Sequence, residues 1–123
     1  MLTLPGPGFE PFSITQIPGK NAYLAADPGT GVDVFSISST SGSSGGLKLV
    51  ETSLTVPDQM AICWSSYSRQ TGSYYVNDVL TGIVTEIAVN SQLQASVVNV
   101  SVTSKKGFLS SYSSLNSNTQ YRI

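Results

Sequence analysis

The chain has 123 residues, the length of one small domain, with 11% charged residues and a formal net charge of −1. That balance excludes binding to nucleic acid by charge, because no basic stripe is present to neutralise phosphates. The absence of histidine removes the commonest general base and metal ligand.

Serine and threonine, 21 and 11 residues, fill about a quarter of the chain and favour β structure with Ser/Gly turns. Residues 1–10 are rich in Pro and Gly and read as an irregular lead-in. Residues 12–17 alternate apolar and polar, the period of a half-buried strand, and Pro18-Gly19-Lys20-Asn21 turns the chain. Strands are expected at 22–26 and 32–37, separated by Asp27-Pro28-Gly29-Thr30-Gly31. A Ser/Thr/Gly loop over 38–46 precedes a fourth strand at 47–52. The order then recurs, with strands at 61–67, 73–77, 83–89 and 93–100. The resulting organisation is a lead-in (1–10), a first sheet (11–54), a linker (55–60), a second sheet (61–100) and an irregular, disordered tail (101–123). The lead-in has neither a basic n-region nor an apolar h-region, so no signal peptide is read. No apolar run approaches the roughly 18 residues of a membrane span, so no membrane partner is expected.

The repeat can be aligned on its punctuation. Asp27-x-x-Thr30-Gly31-Val32 lies over Asp78-x-x-Thr81-Gly82-Ile83 at an offset of 51, and Tyr23 lies over Tyr74 at the same offset. Two four-stranded meanders at a period near 50 residues carry the pattern of β-propeller blades. A single such sheet cannot cover its own apolar face, so blades stack around an axis, and two blades cannot close a ring. The fold expected is all-β, a partial propeller of two antiparallel blades packed face to face. The chain is accordingly expected to be a piece or a truncated form of a larger protein, prone to self-association or to pairing with the missing blades.

Few residues offer chemistry. Gly42-Ser43-Ser44-Gly45-Gly46 fits G-x-S-x-G, but with no helix after it and no histidine it reads as a chance match in a Ser/Gly loop. Asp27 and Asp78 suggest acid/base work or a cation site as a pair. Their equivalence across the repeat favours a turn role for each, with the carboxylate accepting backbone N–H bonds. Asp33 and Glu86, on third strands, read as solvated. Cys63, the one cysteine, can form no internal disulfide and sits between Ile62 and Trp64 as a buried small hydrophobe. Trp64, Tyr67, Tyr74 and Tyr75 suit either a sugar- or ligand-stacking surface or packing between blades. Lys105-Lys106 is too short for a basic patch. Asn99-Val100-Ser101 is an N-glycosylation sequon that matters only on the secretory path. No catalytic residue, cofactor or metal ligand is assigned; the ligand contacts to test are Trp64, Tyr67, Tyr75, Asp27 and Asp78.

Several adjacent segments agree in order and spacing with one family. Pro11-Phe12-Ser13-Ile14-Thr15, Ile17-Pro18-Gly19-Lys20-Asn21-Ala22, Cys63-Trp64-Ser65-Ser66-Tyr67 and residues 81–89 resemble secreted fungal lactonase-like seven-bladed β-propellers of the 3-carboxymuconate cyclase-like type. The resemblance covers roughly residues 8–98 and stops where a further blade would begin. It implies two consecutive blades and an extracellular location. Enzymes of the wider superfamily are similar in placing acidic, basic and histidine residues around a central channel, and no position here matches such a motif. The resemblance therefore implies a non-catalytic binding or interaction scaffold. The alternative it allows is a fragment of a lactonase or muconate cycloisomerase-like enzyme whose catalytic residues lie outside this chain.

Overall fold

A computed structural model describes residues 10–39 and 46–102, and they form eight antiparallel strands in two sheets with no helix among them. The first sheet is a meander of β1 (Ser13–Gln16), β2 (Ala22–Asp27), β3 (Gly31–Ser39) and β4 (Leu47–Thr55). The second repeats that order with β5 (Ile62–Tyr67), β6 (Tyr74–Asp78), β7 (Ile83–Val89) and β8 (Ala95–Val102). The all-β reading and the two four-stranded sheets are thus observed. Residues 1–9 of the lead-in, residues 42–45 of the G-x-S-x-G match, and residues 103–123 of the tail with Lys105-Lys106 lie outside the described residues.

The strand ends differ from the sequence reading where side chains, rather than alternation, set the boundary. β4 runs to Thr55, because its last residues pair with Gly31 and Val32 at the start of β3. β8 begins two residues later than expected and continues to Val102, into the stretch read as tail. The delay belongs to Asn90, whose Oδ1 accepts the amides of Gln92 and Gln94 at 3.0 and 2.9 Å and closes a turn with Leu93 at φ 62°. The hairpins also differ. Asp27 pairs directly with Gly31, whereas Asn77 pairs with Val84, so the offset of 51 on β2/β6 becomes 52 on β3/β7. Asp33 therefore stands where the second sheet has Thr85.

Gly31 is fixed by space. Its φ is +130°, and a Cβ there would lie 2.6 Å from the Leu54 carbonyl oxygen and 2.7 Å from the Val56 amide nitrogen. Only glycine lets β3 start this close to β4.

Strand pairing sorts side chains by face. Leu24, Ala26, Val32 and Val34 share one face of the first sheet, and Tyr74, Val76 and Ile87 share one face of the second. These residues form a single buried cluster with Ile17, Val56 and Ile62. Hydroxyls settle which faces meet. Ser65, on the Val76 face, bonds to Ser13 at 3.0 Å and to Thr15 at 2.8 Å, and both lie on the Leu24 face. Under the repeat, the Tyr74/Val76 face corresponds to the Tyr23/Ala25 face of the first sheet, not to its Leu24 face. The two sheets therefore stack front to back, through unlike faces. Lys20 Nζ ties the first turn of one sheet to the Ser91 carbonyl of the other at 3.0 Å.

Candidate functional site

Each sheet uses one aspartate at the end of its second strand to gather backbone donors. Asp78 Oδ1 accepts Leu80 and Thr81 N–H at 3.0 and 3.1 Å, organising the next turn. Its Oδ2 accepts Met60 and Ala61 N–H at 2.5 and 3.1 Å, fastening the segment that enters the sheet. Asp27 repeats the arrangement, with Oδ1 accepting Gly29 N–H at 2.7 Å and Oδ2 accepting Glu10 N–H at 2.9 Å. Burial opposes the charge on Asp78, but the four backbone donors outweigh it and hold the carboxyl below its usual range. Both aspartates are buried on separate sheets, and each is occupied as a structural clasp rather than paired with the other.

Asp33 corrects the sequence reading. It is 1% exposed rather than solvated, because β3 is an interior strand flanked by Ala25 and Ser53. Its Oδ1 accepts Ser53 and Thr30 hydroxyls at 2.6 and 3.2 Å, while its Oδ2 is buried without a partner. Burial pushes its pKa up to about 6; the Ser53 bond opposes the rise, and Asp27 and Glu51 reinforce it. Glu86 is half-buried. Among the described residues no three His, Cys, Asp or Glu side chains converge as a metal site.

The aromatic candidates divide between two places. Tyr67 and Tyr74 lie at the sheet interface, with ring centroids 5.0 Å apart. Burial, reinforced by Tyr67, pushes the Tyr74 phenol up to about 12. Trp64 and Tyr75 instead lie on the face of the second sheet turned away from the first. Trp64 is 40% exposed and meets the edge of Phe12 at 5.8 Å; the Tyr75 hydroxyl and the Thr71 hydroxyl are 3.0 Å apart. Between Trp64 and Tyr75 lies Asn77, buried, with an Nδ2 that has no partner. Phe12, exposed on the first sheet, is the contact that sequence reading missed. Its approach to a residue 52 positions away leaves no local pattern.

Cys63 is half-buried rather than buried, because it falls at the register shift between Ile62 and Trp64 where β5 bulges. Burial and then Asp78 raise the pKa of its thiol, the opposite of what a nucleophile needs. Asn99 is exposed on β8, with its Oδ1 accepting the Val100 amide at 2.9 Å.

No family model matches the chain, and neither the curated proteins nor the solved structures contain a match.

Proposed function

We propose that the chain is a non-catalytic binding scaffold made of two consecutive β-propeller blades, of the kind found in secreted fungal lactonase-like proteins. The observation that carries this reading is the front-to-back stacking of the sheets. Docking through like faces ends at two layers, whereas docking through unlike faces can be repeated, leaving one face of each kind at the ends of the stack. The missing blades of a larger protein, or further copies of this chain, are the partners such ends suit. The buried aspartates support the non-catalytic part, since backbone amides and hydroxyls already engage them. The contact surface suggested for a small molecule or carbohydrate is Trp64 with Phe12 and Tyr75, an aromatic edge that carries the Thr71 hydroxyl beside Tyr75.

Two experiments test the reading. The gene flanking this reading frame should encode further repeats of about 50 residues; a gene with none refutes the propeller assignment. Titrating the chain with soluble oligosaccharides while following Trp64 fluorescence tests the surface. A saturable change lost in Phe12→Ala supports carbohydrate binding, and none across a broad panel removes it. The same preparation should turn over neither lactones nor carboxymuconate above the buffer rate. Turnover abolished by Asp27→Asn would overturn the non-catalytic reading.

A further inference from the structure

The two sheets present the same aspartate clasp in different company. In the second, Asp78 stands beside strand β7, where the position equivalent to Asp33 is the neutral Thr85. In the first, a second carboxyl has been placed against the clasp. Asp33 pairs with Ala25 and Asp27 with Gly31, which makes the two aspartates diagonal neighbours on one face of the sheet, and both side chains are excluded from water. The hydroxyls of Ser53 and Thr30 both go to Asp33 Oδ1, leaving Oδ2 without a donor. The charged groups that face Asp33 are Asp27 from β2 and Glu51 from β4, both acidic. Glu10 approaches through its backbone amide, which Asp27 holds.

Two ionised carboxylates in this setting repel each other and give each other only acceptors. One proton removes both problems, turning Asp33 into a donor toward Asp27 and leaving Asp27 ionised to hold the Glu10 and Gly29 amides. We propose that Asp27 and Asp33 share a single proton, and that its release to solvent loosens the clasp on the chain at Glu10. The first sheet is then an acid-tightened unit, while the second, with Thr85 in place of the extra carboxyl, is not. A scaffold so built holds its entering segment firmly in mildly acidic surroundings and frees it as the medium becomes neutral. The shift described for Asp33 places that change near pH 6.

The full chain labelled with 13C at its aspartate carboxyls allows the proton to be followed by infrared spectroscopy, whatever the oligomeric state. The spectrum is expected to show one buried protonated carboxyl that disappears with a midpoint near pH 6. The band should be absent in Asp33→Asn, and in Asp27→Asn its midpoint should fall by about one pH unit or more once the like charge is gone. Hydrogen exchange over residues 10–16, corrected for the intrinsic rate, should accelerate above that midpoint in the wild-type chain and not in Asp33→Asn. Exchange at Met60 and Ala61 should show no such step. The proposal is overturned if every aspartate titrates below about pH 4.5, or if Asp27→Asn leaves the midpoint unchanged. Should Asp27→Asn fail to fold, the exchange step decides alone, and its persistence in Asp33→Asn is fatal.

Discussion

Replacing Asp78 by asparagine separates the clasp from everything else that holds the second sheet. The amide oxygen can keep one pair of donors, either Leu80 and Thr81 or Met60 and Ala61. The NH2 group then faces the other pair, donor against donor. Two bonds to a charged acceptor are lost, each worth about 1.5–3 kcal/mol, so about 3–6 kcal/mol of stability should go. Small domains have a total of about 5–15 kcal/mol, so this single oxygen-to-nitrogen exchange approaches the whole margin. The loss should spread, because the Ala61 carbonyl in turn accepts Val79 N–H at 3.1 Å. Equilibrium urea unfolding, followed by the fluorescence of Trp64 and by far-ultraviolet circular dichroism, measures it. The acid limb provides a second signature. The lowered pKa of Asp78 means its contribution is present above the unfolded value of about 3.9 and is lost as pH falls through the folded value. Asp78→Asn should therefore be less sensitive to acid than the wild type. A variant destabilised by less than about 1 kcal/mol, with an unchanged acid limb, would refute the reasoning.

Other consequences can be measured with the same methods. Asp33 has the opposite sign: its stabilising state is complete below about pH 4 and is lost as pH rises through about 6, so Asp33→Asn should flatten the neutral limb. The raised value corresponds to about 3 kcal/mol, and unfolding curves from pH 4 to 8 that overlay those of the wild type would contradict it. Gly31→Ala should cost at least about 3 kcal/mol and broaden or abolish cooperative unfolding, since its Cβ would meet backbone atoms that cannot move aside. Ser65→Ala, which removes the hydroxyl between Ser13 and Thr15, should cost about 1–2 kcal/mol in urea unfolding without changing the circular dichroism spectrum. Val98, Val100 and Val102 are exposed on β8, an uncharged terminal strand of its sheet. If copies of the chain pair through this edge, Val100→Lys should reduce concentration-dependent association in light scattering, and an unchanged profile would refute that role for β8. In a spectrophotometric titration the wild-type chain should show an ionisation near pH 12 that Tyr74→Phe lacks.

The strands and their repetition can be read along the chain. Alternating apolar residues between Gly-, Pro- and Asp-containing turns are local signals, and a local signal survives in one dimension. The eight strands, their meander order and the turn role of Asp27 and Asp78 are legible in that way, whereas the second half of each clasp, the hold on Glu10 and on Met60 and Ala61, reaches 17 or 18 residues back and is not. Burial and partner choice depend instead on contacts between segments far apart in the chain. Asp33 reads as solvated because nothing nearby in sequence indicates burial; β4, some 20 residues on, covers it and brings Ser53 to its Oδ1. The one-residue change of offset between β3 and β7 puts Thr85 at the position of the second sheet equivalent to that carboxyl, because hairpin geometry rather than residue spacing sets register. The β5 bulge half-exposed Cys63, and the docking of unlike faces joined Phe12 to Trp64 while drawing Tyr67 into the interface. Periodicity fixes which residues share a face, but which face meets which is settled by the packing of two completed sheets.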